Sequence, residues 1–226
     1  KCRILLLGDS HAMRLMFGLA PLIEKAGCRI DQITRYSTAP LPGFRHVSWN
    51  RAGAADFCDA AYQKIQTERW DCVVLAASWY TYVEEDPLLF EALVSVVEKI
   101  VASGAKVCLF TPVPDQLLPL PRTLCAAVRN GGNPELIGVR TETFRASARK
   151  LSIVLSRLQH QFPPETLLIM DPVSAFTDST GLIRCEMDGK CMYSDHFHLS
   201  NDGATRVAGF LFPEFSRFAI SDGPGP

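Results

Sequence analysis

Short, unbroken apolar runs alternate along this chain with longer stretches in which apolar residues recur at three- and four-residue steps. The first pattern suits a strand buried on both faces, the second an amphipathic helix with one face on a core. Residues 3–7, 30–34, 72–77, 107–111 and 167–171 read as five strands. Residues 12–25, 56–67, 87–103, 141–161 and 201–215 read as helices, with Gly27 capping the first and Pro87 near the start of the third. Residues 36–50 form a loop containing proline and glycine, and residues 112–138 a long Pro- and Gly-rich excursion. Apolar strands separated by helices predict an α/β protein, a three-layer α/β/α sandwich with a central parallel five-stranded sheet of flavodoxin-like layout. Loops at the strand carboxyl ends would line its site, and the excursion is expected to form the rim of that site rather than a domain boundary.

Composition narrows the function classes. A chain of 226 residues, 47% hydrophobic and 21% charged, suits one domain over residues 1–226. A net charge of −1 with scattered Lys and Arg gives no case for nucleic acid or an anionic membrane surface. No apolar run reaches the roughly 18 residues of a membrane span. The chain starts at Lys1, directly on the first strand-like run, without an initiator Met or signal peptide. It therefore reads as an excised domain or a processed product, which leaves its location open.

Eight cysteines divide into two groups. Cys2, Cys72 and Cys108 fall in or beside strand-like runs, where they are expected to stay reduced and buried as small hydrophobes. Cys185 and Cys191 bracket a polar turn with an Asp188-Gly189 step, the kind of loop a short disulfide can staple. Two reduced thiols are the alternative; a bridge would imply an oxidising compartment and add about 2 kcal/mol of stability. There is neither a C-x-x-C pair nor a Cys/His zinc spacing, so no metal site is expected.

Two segments carry the chemistry. The first strand ends in Gly8-Asp9-Ser10-His11, and Ser194-Asp195-His196-Phe197-His198-Leu199-Ser200 precedes the last helix. Ser10 sits at a helix amino end, where backbone N–H groups can face a developing oxyanion; an N-cap role alone is the competing reading. A serine hydroxyl needs a base to take its proton and a third group to orient that base. The flanking Asp9 and His11 rule out the Gly-x-Ser-x-Gly elbow. Asp9 is expected to anchor the turn and His11 to pack or hydrogen-bond locally.

These two blocks resemble the SGNH/GDSL hydrolases. The resemblance is closest to SGNH domains fused to bacterial membrane O-acyltransferases that acetylate cell-surface glycans. Gly8-Asp9-Ser10-His11-Ala12 and Asp195-His196-Phe197-His198-Leu199-Ser200 carry it, and the Cys185/Cys191 loop fits the subgroup. By this resemblance Ser10 is the nucleophile, His198 the base and Asp195 its orienting acid. His196 is the competing base, but in an extended loop its side chain would point the other way. The middle of the chain departs from the family. No asparagine follows the third strand, where Ala77-Ser78-Trp79-Tyr80 stands, and Gly43 comes late for the glycine of the second. Ser10, Thr38 and Ser78 are therefore the candidate oxyanion donors. Trp79 and Tyr80 either stack on substrate or belong to the core.

The resemblance implies acyl transfer or ester hydrolysis on O-acyl groups, chiefly acetyl, of a cell-surface carbohydrate through an acyl-serine, with no cofactor. The partners implied are a carbohydrate acceptor or acylated glycan and a membrane acyltransferase domain in the same chain, with no nucleic acid. The location implied is periplasmic or extracytoplasmic, tethered to the membrane. A free-standing GDSL esterase or lipase is one rival, and a catalytically weak carbohydrate-binding or docking module on the same scaffold is another.

Overall fold

Every residue from Ile4 to Leu7 is fully buried, and this first strand runs through the middle of the molecule in the computed structural model, which describes residues 2–44 and 53–220. The elements, in order, are β1 (Arg3–Gly8), α1 (Ser10–Lys25), β2 (Arg29–Thr34), α2 (Ala54–Thr67), β3 (Cys72–Ala76), α3 (Trp79–Glu85), α4 (Leu89–Ala102) and β4 (Lys106–Phe110). Then come α5 (Leu120–Arg129), β5 (Gly138–Arg140), α6 (Thr141–Ser147), α7 (Arg149–Gln161) and β6 (Leu167–Met170). The chain continues with β7 (Leu182–Arg184), β8 (Glu186–Met187), β9 (Lys190–Cys191) and α8 (Asn201–Ala219). The main sheet has the order β2-β1-β3-β4-β6, all parallel. The expected three-layer sandwich with five parallel strands is present.

Side chains alternate between two cores, as the pleat requires. Ile4, Leu6, Val74 and Cys108 face α1 and α8, whose Leu15, Leu19, Val207 and Leu211 join them in one cluster. Leu5, Leu7, Val73 and Val107 face Tyr62, Leu93, Val97 and Leu158 of α2, α4 and α7. Gly18 lets α1 and α8 approach closely, because a Cβ there would lie 2.1 Å from Ala204 O.

The structure corrects the patterning in four places. The helix expected over 141–161 breaks at Ala148, because Phe144 of α6 belongs to one core and Leu151, Val154 and Leu158 of α7 to the other. The excursion contains α5, started by Pro121 where a missing N–H costs nothing. The seven-residue α3 is too short for a periodic signal. Cys2 is half-buried, unlike Cys72 and Cys108, which are fully buried. Part of the expected 36–50 loop lies outside the described residues.

Candidate active site

The turn after β1 is fixed by what surrounds it. A Cβ on Gly8 would lie 1.8 Å from Ala76 O, so only glycine lets β1 end beside β3. Asp9, 1% exposed, caps α1 by accepting the His11 N–H at 2.8 Å. Its other oxygen accepts the Ser78 N–H at 2.9 Å and the Tyr82 hydroxyl at 2.8 Å. One carboxylate thereby ties the turn after β1 to the turn after β3, the anchoring expected of it. Ser10 follows as the first residue of α1, where backbone N–H groups lack intrahelical acceptors.

The second block is a clasped loop. Tyr193 bridges Leu199, and the Ser194 N–H donates to His198 O at 2.8 Å. Within it, Asp195 Oδ1 accepts the N–H groups of Phe197 at 2.9 Å and His198 at 2.7 Å. That leaves Oδ2 at 2.7 Å from His198 Nδ1, while His198 Nε2 lies 2.8 Å from Ser10 Oγ. A proton on Nδ1 facing the carboxylate leaves the Nε2 lone pair directed at the serine hydroxyl. Burial works to raise the Asp195 carboxyl, but the two backbone N–H groups and the imidazole outweigh it and hold its pKa below the usual carboxylate value. The carboxylate is therefore ionised wherever the imidazole needs it.

Ser200 closes the loop by capping α8. Its hydroxyl accepts the Gly203 N–H at 3.1 Å and donates to Cys191 O at 2.7 Å. The preceding β8–β9 hairpin turns on Asp188 and Gly189, both with left-handed φ of 55° and 76°, as a two-residue Asp-Gly turn requires. Its register corrects the expected disulfide. Glu186 opposes Cys191, so Cys185 and Cys191 project from opposite faces of the ribbon. The Cys185 thiol donates to Ile137 O and the Cys191 thiol to Tyr193 O, each at 2.9 Å, and the two cysteines are not bonded.

The remaining candidates separate. Trp79 is fully buried and its indole donates to Phe110 O at 2.9 Å, so it is core and not a substrate platform. Tyr80 lies edge-on to Phe144 at 5.5 Å between ring centres. Of the candidate oxyanion donor Ser78, the N–H donates to Asp9 at 2.9 Å and the hydroxyl pairs with Thr81 at 2.9 Å, so its backbone donor is already engaged. Thr38 is 1% exposed, its hydroxyl donates to Tyr36 O at 3.0 Å, and no described hydrogen bond ties it to Ser10 or His198. His196 pairs instead with Asp115, its Nδ1 3.0 Å from the carboxylate, and it is His198 that meets Ser10. The His11 ring lies tilted against the His198 ring, 5.0 Å between centres, and its buried Nε2 has no partner among the described residues; burial lowers its pKa.

A cleft of about 300 Å³ is lined by His11 and Phe197, the chain neighbours of Ser10 and His198, and by Tyr80, Asp115, Phe144 and His196. Gln116 holds its rim. Its N–H donates to His196 O at 2.8 Å, and its side chain joins Tyr193 and the Val139 N–H. Nothing in the sequence around Gln116 or Tyr82 marks either residue, because each acts through partners more than twenty residues away. Among the described residues no three His, Cys, Asp or Glu side chains gather to hold a metal ion.

Solved structures share this architecture. The periplasmic domain of a lipopolysaccharide acetyltransferase from Salmonella ser. Paratyphi A matches at a TM-score of 0.76 with 18% identity, over 95% of this chain and 84% of that one. A GDSL-like lipase from Bacteroides thetaiotaomicron matches at 0.54 with 10% identity, over 95% and 88% of the two chains. An acetyl xylan esterase matches at 0.53 with 13% identity, over 94% and 98%. No curated protein matches the sequence. A family model described as an SGNH domain (fused to AT3 domains) matches residues 1–213, nearly the whole chain, and the chain belongs to that family.

Proposed function

We propose that this domain carries out serine-dependent acyl transfer on O-acyl groups, chiefly acetyl, of a cell-surface carbohydrate through an acyl-serine intermediate. The observation that carries the reading is the continuous hydrogen-bonded line from Ser10 Oγ through His198 to Asp195. Ser10 Oγ attacks the acyl carbonyl carbon as its proton passes to His198 Nε2. The tetrahedral oxyanion sits against the Ser10 N–H at the amino end of α1. His198 then gives the proton to the leaving oxygen as the carbonyl reforms, which leaves the acyl group on Ser10. An acceptor hydroxyl repeats the sequence in reverse: His198 takes its proton, the new ester forms, and Ser10 recovers its own. Asp195 stays ionised and keeps Nδ1 protonated throughout. Water in place of the acceptor would give hydrolysis by the same steps.

Three observations favour a sugar as acceptor. Membership of a family fused to AT3 domains points to work beside a membrane acyltransferase domain in the same chain, on the extracytoplasmic side. The structure matching at a TM-score of 0.76 is named as the periplasmic domain of a lipopolysaccharide acetyltransferase. The cleft is lined by Tyr80 and Phe144 together with carboxylates and an imidazole, groups suited to sugar rings and their hydroxyls. Turnover of a small acetyl ester by the purified domain, with acetyl found on Ser10 by mass spectrometry after brief mixing, is the expected result. Full turnover by Ser10→Ala would overturn the assignment.

A further inference from the structure

Sheet register decides which thiols can meet. β1 and β2 run parallel with Arg3 opposite Arg29 and Ile4 opposite Ile30. The residues just before the two strands, Cys2 and Cys28, therefore stand opposite each other, and the Arg29 N–H donates to Cys2 O at 2.9 Å. Neighbouring parallel strands lie about 4.8 Å apart, inside the roughly 4.4–6.8 Å Cα separation that disulfides span. Alternation puts Cys2 on the face of Ile4 and Leu6, and Cys28 on the face of Ile30, so both join the cluster under α1 and α8. Burial and the neighbouring Cys28 thiol raise the pKa of the Cys2 thiol. The same criterion excludes the other sheet cysteines. Cys72 opposes Ile4, two positions further along β1, and Cys108 opposes Val74.

We propose that Cys2 and Cys28 are joined by a disulfide in an oxidising compartment, fastening the start of β1 to the start of β2. This replaces the expectation that Cys2 stays reduced. The oxidant is an exchangeable disulfide, either that of a dithiol–disulfide oxidase or a small-molecule disulfide. The Cys2 thiolate, the more exposed of the pair, attacks one of its sulfurs and expels the other as a thiolate. The Cys28 thiolate then attacks Cys2 Sγ in the mixed disulfide and displaces the oxidant's second sulfur. Two cysteine protons are released and two electrons reduce the oxidant to two thiols. Burial and the Cys28 contact push the Cys2 thiol up to about 12, which makes its thiolate scarce once β1 and β2 have paired. Exchange is therefore fastest while the chain is folding. Cys72 and Cys108 stay as thiols because the sheet register sets no cysteine directly opposite either of them, and burial holds both well above the usual value.

The test needs no variant to begin. Protein folded in an oxidising compartment, or refolded with oxidised glutathione, is alkylated in denaturant without reductant and mapped by mass spectrometry. The expected result is a fragment containing Cys2 linked to one containing Cys28, about 2 Da lighter than the sum of its parts and separated by reductant. Reductant should also lower the denaturation midpoint of the wild type but leave that of Cys2→Ser or Cys28→Ser unchanged. Full alkylation of both cysteines without reductant, or linkage of either to a different cysteine, would overturn the proposal.

Discussion

At the residue scale the separation of roles within one short loop is the main finding. Asp195 uses one oxygen to hold the loop's own backbone and the other to hold His198, so the same carboxylate shapes the loop and orients the base. On this reading Ser10→Ala and His198→Ala each lower ester turnover by a factor on the order of 10³ to 10⁶, and the double variant loses little more. His196→Ala should keep most of the rate on a small ester, because its imidazole is paired with Asp115 at the cleft edge. Steady-state kinetics of the four proteins check this, and additive losses in the double variant would refute a unit. His11 gives a second prediction. Burial lowers its folded pKa, so as pH falls the unfolded chain takes up a proton first. Its contribution to stability is complete above the unfolded value near 6.5 and drains away as pH falls toward the folded value. Denaturant unfolding between about pH 8 and about pH 5 should therefore show a steeper loss for wild type than for His11→Phe.

At the element scale, close approach decides more than propensity. α1 and α8 meet at Gly18, where a methyl group would press on Ala204 O. Gly18→Ala should cost about 1–3 kcal/mol, since backbone cannot move aside as a flexible side chain would, and the denaturation midpoint should fall accordingly. An unchanged midpoint would mean the two helices can slide apart. The strands and long helices were legible because each shows a burial period of its own. Missing were the break at Ala148 and the short α3, where a segment of about seven residues serves two cores or one turn and carries too little repetition to register. The Asp188-Gly189 turn was readable from its residue types, but the faces taken by Cys185 and Cys191 followed from the pairing of Glu186 with Cys191.

At the scale of the whole molecule, β1, β3 and β4 each have neighbours on both sides and apolar layers on both faces. Their amides should exchange most slowly, near the rate set by global unfolding, whereas amides of the excursion around α5 should exchange through local opening. Equal protection of the two regions in a native-state exchange experiment would contradict this. The layout also explains where sequence reading stopped. The sequence alone determined the alternation of strands and helices, the family, and the two blocks holding Ser10, Asp195 and His198, because each rests on residue types at short, fixed spacing. Only the tertiary structure decided that His198 and not His196 meets Ser10, 188 positions away in the chain. It also placed Trp79 in the core, spent the Ser78 N–H on Asp9, and set Cys28 rather than Cys72 against Cys2. Those outcomes depend on strand order and register, which are set by the packing of distant apolar faces and leave no local mark on the residues they bring together.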